Sequence, residues 1–133
     1  MRAPTLLETF LAAAFGAAVF ALVLPDFARA RAAYSVELAA RAAADCDAEL
    51  VRIARAARAA ARSGAGPVPE AEPTLAAIAE SRAGRGAPPL VWPREADLST
   101  VDFSSTNGVS VLLRLRGGGR RVDARDLEVD HVN

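Results

Sequence analysis

Thr5–Arg31, TLLETFLAAAFGAAVFALVLPDFARAR, is the stretch of this chain that decides its fold. Glu8 is the only charge between Pro4 and Pro25, and the run from Phe10 to Leu24 carries none. Crossing about 30 Å of hydrocarbon takes roughly 20 predominantly apolar residues in a helix, and this segment meets that length. A carboxylate at the edge of such a span is costly to bury, which makes Glu8 a functional candidate. A cleaved signal peptide would need a basic region ahead of the apolar run and small residues at its cleavage site. Here Arg2 stands nearly alone, and Ala28-Arg29-Ala30 is flanked by Phe27 and Arg31. The segment reads as a retained anchor.

The helical pattern does not stop at Pro25. Residues 26–62 contain no Gly or Pro and are dominated by Ala and Arg, both strong helix formers. Leu38, Cys46, Leu50, Ile53 and Ala57 fall on one helix face. Glu37/Arg41, Arg41/Asp45 and Glu49/Arg52 stand at spacings that pair on a helix surface. The expectation is one helix over Thr5–Arg62, on the order of 85 Å long at 1.5 Å per residue. Its first half is membrane-embedded and its second half amphipathic. Pro25 should kink it, because the ring deletes one hydrogen bond and crowds the carbonyl four residues back.

Ser63-Gly64-Ala65-Gly66-Pro67 ends that helix, and Pro69 and Pro73 keep the chain extended. Pro73-Thr74 opens a short helix, Leu75–Arg82, stopped by Gly84 and Gly86. Leu90-Val91-Trp92-Pro93 forms an apolar plug against the long helix, with Trp92 as a core residue. Strands are expected at Leu98–Phe103, Val109–Arg116, Arg120–Ala124 and Leu127–Val132, joined by Asn107-Gly108 and by Gly117-Gly118-Gly119. The fold class is α+β: a long N-terminal membrane and amphipathic helix packed against a small C-terminal antiparallel sheet of three to four strands. The chain divides into residues 1–4, the span 5–25, the amphipathic continuation 26–62 and a head domain 63–133.

Composition narrows the function. The chain has 133 residues and a formal net charge of zero, which argues against an electrostatic nucleic-acid binder. Cys46 is the single cysteine, so no internal disulfide is available; it reads as a small apolar helix residue. The triple glycine lacks the Lys-Ser/Thr of a phosphate loop. Asp123, Asp126, Glu128 and Asp130 offer oxygen ligands for calcium, but carboxylates alternating on a strand also form a solvated face. His131 has no neighbouring nucleophile, and no spacing for a catalytic triad or a cofactor survives inspection. Nothing in the chain points to an enzyme.

The N-terminal third resembles type IV pilins and the pseudopilins of type II secretion. The residues that carry the likeness are Thr5-Leu6-Leu7-Glu8, the aliphatic run after it, and Val23-Leu24-Pro25, with Pro25 seventeen residues beyond Glu8. Two positions depart from the family pattern. Pro4 follows Ala3 where a leader peptide would be cut, and a proline there makes cleavage poor, so residues 1–4 are a leader remnant or an unprocessed N-terminus. Gly16 sits one residue before the family's helix glycine, at which this chain has Ala17.

The resemblance implies a pilin-like fold and a single-pass protein of the bacterial inner membrane with a periplasmic head. It also implies assembly with other pilin or pseudopilin subunits through Thr5, Glu8, Gly16 and Pro25, aided by membrane proteins of the assembly machinery. Glu8 would neutralise the free amine of an adjacent subunit. No cofactor is implied. The positive-inside count favours the opposite topology, since Arg29, Arg31 and Arg41 follow the span; basic residues after the helix proline are usual in the family. The alternative is a single-pass anchored coiled-coil and β scaffold that binds a partner without polymerising.

Overall fold

The computed structural model describes residues 5–64 and 72–129. The chain forms two compact units, Met1–Tyr34 and Ser35–Asn133. One continuous helix, α1 (Leu6–Arg62), supplies the described part of the first unit after Thr5 and continues into the second. It runs unbroken through Pro25, starting one residue after the expected start and ending at the expected end. Every residue from Thr5 to Arg31 is exposed.

In the second unit, residues 35–62 of α1 are followed by α2 (Leu75–Gly84), β1 (Ala96–Ser104), β2 (Gly108–Leu115), β3 (Gly118–Asp123) and α3 (Asp126–Val129). Thr74 caps α2, its side-chain oxygen accepting from the Ala77 amide at 3.1 Å. The strands form an antiparallel meander in the order β1-β2-β3. Val111 faces Val122 and Leu113 faces Arg120 across β2 and β3. The register of β1 against β2 shifts between Asp97 and Asp102, where Ser99 and Thr100 hydrogen-bond back to Asp97 instead of joining the ladder.

Alternation on β2 turns Val109, Val111 and Leu113 inward, and all three are fully buried. They meet Ala39, Ala40, Ala43 and Cys46 of α1 in two adjoining clusters, with Val122 from β3 and Ile78 from α2. Small helix residues let the sheet approach closely, so branched strand side chains fill the space that aromatics would otherwise occupy. Leu90 and Trp92 pack on the same core and Pro93 is buried, while Val91 points outward. The apolar plug packs as its sequence implies.

Gly108 ends the β1–β2 loop with φ +77°. The loop holds three residues between paired Ser104 and Gly108, and the Ser104 hydroxyl accepts from the Thr106 and Asn107 amides. A left-handed residue after such a loop is the usual three-residue hairpin solution, and it requires glycine here rather than at Asn107. The position is also crowded, since a Cβ would stand 3.3 Å from Asp47 Oδ1.

Three expectations need correction. The segment read as a strand from Leu127 to Val132 instead begins with the short helix α3, and residues 130–133 lie outside the described residues. The Asp126 carboxylate accepts the Asp123 amide at 3.0 Å, a local bond that turns the chain out of the ladder, and Leu127 packs on the Leu113–Val122 cluster. The most buried face of α1 runs through Ser35, Ala39, Ala42, Ala43, Cys46 and Glu49. Leu38, Leu50, Ile53 and Ala57 flank it half-buried, because alanine rather than the larger residues marks where the sheet sits closest. Glu49 is not a surface partner of Arg52 but is itself buried.

Candidate functional site

The Thr5–Glu8 pair has a defined geometry. The Thr5 amide donates to Glu8 Oε2 at 3.2 Å, and the Glu8 amide donates to Thr5 Oγ1 at 3.3 Å. The Thr5 carbonyl accepts the first helical bond, from the Thr9 amide at 3.1 Å. These reciprocal bonds are a capping box, which satisfies amide groups that a helix start leaves without partners. The sequence carries that signal openly, as Thr-x-x-Glu ahead of an apolar run, and the expectation for Glu8 passed over it.

Beyond the cap, the first half of α1 presents an exposed apolar surface. Leu6 is 91% exposed and Phe15 74%, and Phe10, Phe20, Leu22 and Phe27 are similarly open. An eighteen-residue window of this helix has a mean hydropathy of 2.1, and none of it is buried, so α1 is long and apolar enough to cross a membrane. A Cβ added at Gly16 would meet nothing within 4 Å, so no packing within the chain demands glycine there. Pro25 lies within the helix, where its ring removes one backbone donor. Thr5 and Glu8 therefore meet in space, whereas Gly16 and Pro25 are linked to them only along the helix. Ala3 and Pro4 lie outside the described residues.

The calcium candidates are not gathered on a strand. Asp126 uses its carboxylate on the Asp123 amide, Glu128 belongs to α3, and Asp130 and His131 lie outside the described residues. Among the described residues no three metal-ligating side chains cluster.

The head carries a buried ionic centre that helical spacing alone did not reveal. Glu49 is 1% exposed and accepts from Arg85 Nη2 at 2.6 Å and from Ser81 Oγ at 2.7 Å. Hydrogen bonds from Arg85 and Ser81 hold its carboxyl down at about 2, against the opposing effect of burial. The same bond pushes the Arg85 guanidinium up. Glu49 thereby ties α1 to α2, a contact that spans 36 positions in sequence. At the sheet, a hydrogen bond from Ser99 holds Asp97 below the usual carboxylate range, with Arg114 at 3.0 Å adding to the effect. Arg41 pairs with Glu37 at 2.7 Å on the α1 surface, as their spacing implies.

Cys46 sits in the core, and burial, reinforced by Asp45, pushes its thiol up to about 11. A thiol that stays protonated and covered is a packing residue rather than a nucleophile. Beside the same core, α2 and the 87–93 loop enclose a groove of about 330 Å³ that includes Trp92 and Arg82. No protein-family model, curated protein or solved structure matches this chain.

Proposed function

We propose that this chain is a pilin-like subunit of the bacterial inner membrane that assembles through its N-terminal helix into a type IV pilus or a secretion pseudopilus. The observation that carries the reading is the uncovered apolar half of α1, with one carboxylate at its start and a proline seventeen residues later. Such a surface needs lipid or other helices around it. Ala12–Ala14, Gly16, Ala17 and Ala18 allow neighbouring helices to approach closely. The partners on this reading are other pilin-like subunits, the inner membrane and the proteins that drive assembly, with the head on the periplasmic side. Glu8 would meet the terminal amine of an adjacent subunit, and leaving either charge buried alone costs about 3–5 kcal/mol.

The capping box favours a second reading, in which the chain is a single-pass anchor whose head binds a partner without polymerising. There Glu8 serves only its own helix start. The two readings separate on one residue. Gln keeps the cap, since Glu and Gln both complete a capping box, but it abolishes the charge. In cysteine crosslinking between subunits at equal protein levels, the filament reading expects both Glu8→Gln and Glu8→Ala to abolish crosslinks while membrane insertion persists. Crosslinking of Glu8→Gln at the wild-type level would defeat the charge-pairing role and leave the anchored scaffold as the better account.

A further inference from the structure

The last turns of α1 carry a charge pattern that the fold of the head does not use. Arg52, Arg55, Arg58 and Arg62 are all exposed, and each stands three or four residues from the next, so they form one stripe about 15 Å long. No acidic residue interrupts the sequence from Leu50 to Pro69. Among the described residues no carboxylate pairs with any of the four. Like charges at these spacings weaken a helix, and the helix dipole favours a cation only in the last turn, where Arg62 stands. The opposite face, through Leu50, Ile53 and Ala57, is half-buried.

Residues 35–133 carry fourteen carboxylates against thirteen arginines, so apart from the stripe this unit is acidic. Glu72 and Glu80 are where that charge is open. Both are exposed, no arginine among the described residues pairs with them, and Ala76, Ala79 and Ala83 lie exposed on the same outer side of α2. On its inner side α2 packs through Ile78, and Ser81 bonds to Glu49 of α1. The stripe and the acidic side of α2 both turn away from the contact between the two helices, so they do not neutralise each other within one chain.

We propose that the arginine stripe of one copy docks on the Glu72–Glu80 side of α2 of a second copy. This contact rests on the filament reading and adds an interaction between heads to it. Alanine on both faces lets the two helices approach until guanidinium forks reach carboxylates. Because the two faces differ, the contact is head-to-tail and passes from copy to copy instead of joining two identical surfaces. Exposed ion pairs are individually weak, so its strength comes from repetition among copies already held in one membrane. Nucleic acid is a poorer match for a chain with no net charge. An anionic membrane surface would need the apolar face of this helix, which is already half-buried.

The test is a disulfide between full-length copies. One copy carries Ala59→Cys beside the stripe and the other Ala79→Cys on α2, both at exposed positions, while the native Cys46 is buried. Cells co-expressing the two are broken and their membranes oxidised in salt of about 0.01 M or about 1 M, where charges act over about 30 Å or about 3 Å. The mixed crosslink should form at low salt, exceed the crosslink of either variant to itself, and fall at high salt. Arg55→Glu with Arg58→Glu in the first copy should cut it by about tenfold or more. Glu72→Arg with Glu80→Arg in the second copy should restore it, which also shows that the reversed copies fold. Crosslinks between the N-terminal helices in the same membranes report the filament reading separately, and their presence without the mixed crosslink overturns the head contact alone. A mixed crosslink indifferent to salt would also overturn the proposal. A loss that the second reversal fails to restore would assign the stripe to a different anionic partner and overturn it too.

Discussion

Ile78→Ala tests the packing that holds the head together. Ile78 is 0% exposed and is the one fully buried apolar side chain of α2, set among Ala43, Cys46, Val109 and Val111. The substitution removes three carbons, a transfer loss of about 2.4 kcal/mol at roughly 0.8 kcal/mol per buried methylene. A cavity cost adds to this, and it should not be small here. The buried α1 residues of the pocket are Ala43 and Cys46, side chains too short to reach far into a void. A total of about 3–4 kcal/mol follows, within the range of about 2–5 kcal/mol for such truncations.

For a unit spanning residues 35–133, each kcal/mol corresponds to about 4–8 °C in Tm, so the midpoint should fall by roughly 15–25 °C. Thermal unfolding followed by Trp92 fluorescence is the assay, because Trp92 packs on the same cluster and the apolar half of α1 contributes nothing to its signal. Ala76→Ser, exposed on the same helix, is the control and should shift Tm little. A fall of less than about 5 °C in Ile78→Ala would refute the packing of α2 on the sheet.

Two further outcomes follow from the same unit. Glu49 has its carboxyl lowered from 4.5 to about 2 in the folded chain, so the folded state holds fewer protons than the unfolded state between those values. Its stabilisation is fully present above the unfolded value and is lost as the pH falls toward 2. The Tm difference between wild type and Glu49→Gln should be constant from pH 7 to about 5 and shrink below that, and a difference that grows with acidity would reverse the assignment. Gly108→Ala should cost about 1–2 kcal/mol for the left-handed backbone, and more if Asp47 cannot withdraw from the new Cβ, as read from denaturant unfolding.

The sequence made the main elements legible because each carries a local signal. An alanine-rich stretch without Gly or Pro marks the second half of α1, Thr74 marks the start of α2, and alternating Val109, Val111 and Leu113 mark the central strand. What escaped was non-local or too short to have a period. Leu127 and Val129 are two residues apart, and that spacing alone does not separate a strand from one turn of helix. Glu49 had a ready explanation three residues away in Arg52. Its true partner reaches it only because α2 folds back over α1, and nothing in the spacing of α1 records that. The Arg82 groove likewise exists only once the 87–93 loop lies beside α2.

Both halves of α1 are alanine-rich, but only one of them has its cover. Between Ser35 and Glu49 the buried alanines lie under β2, β3 and α2, and the side chains that press on them come from the sheet. Between Thr5 and Arg31 the alanines are interspersed with Leu and Phe, and all of these residues are exposed. A sequence meant to keep that half in water would place charges around it, yet the run Phe10–Leu24 has none. Such a surface is suited to lipid or to other helices. Lipid alone satisfies the Leu and Phe side chains and asks nothing of Glu8 beyond the helix cap it already makes. Neighbouring helices would in addition use the small residues and would need Glu8 for its charge. The apolar surface is therefore common to both readings, and the charge on Glu8, separable from its capping bonds by a single Glu8→Gln change, is what divides them.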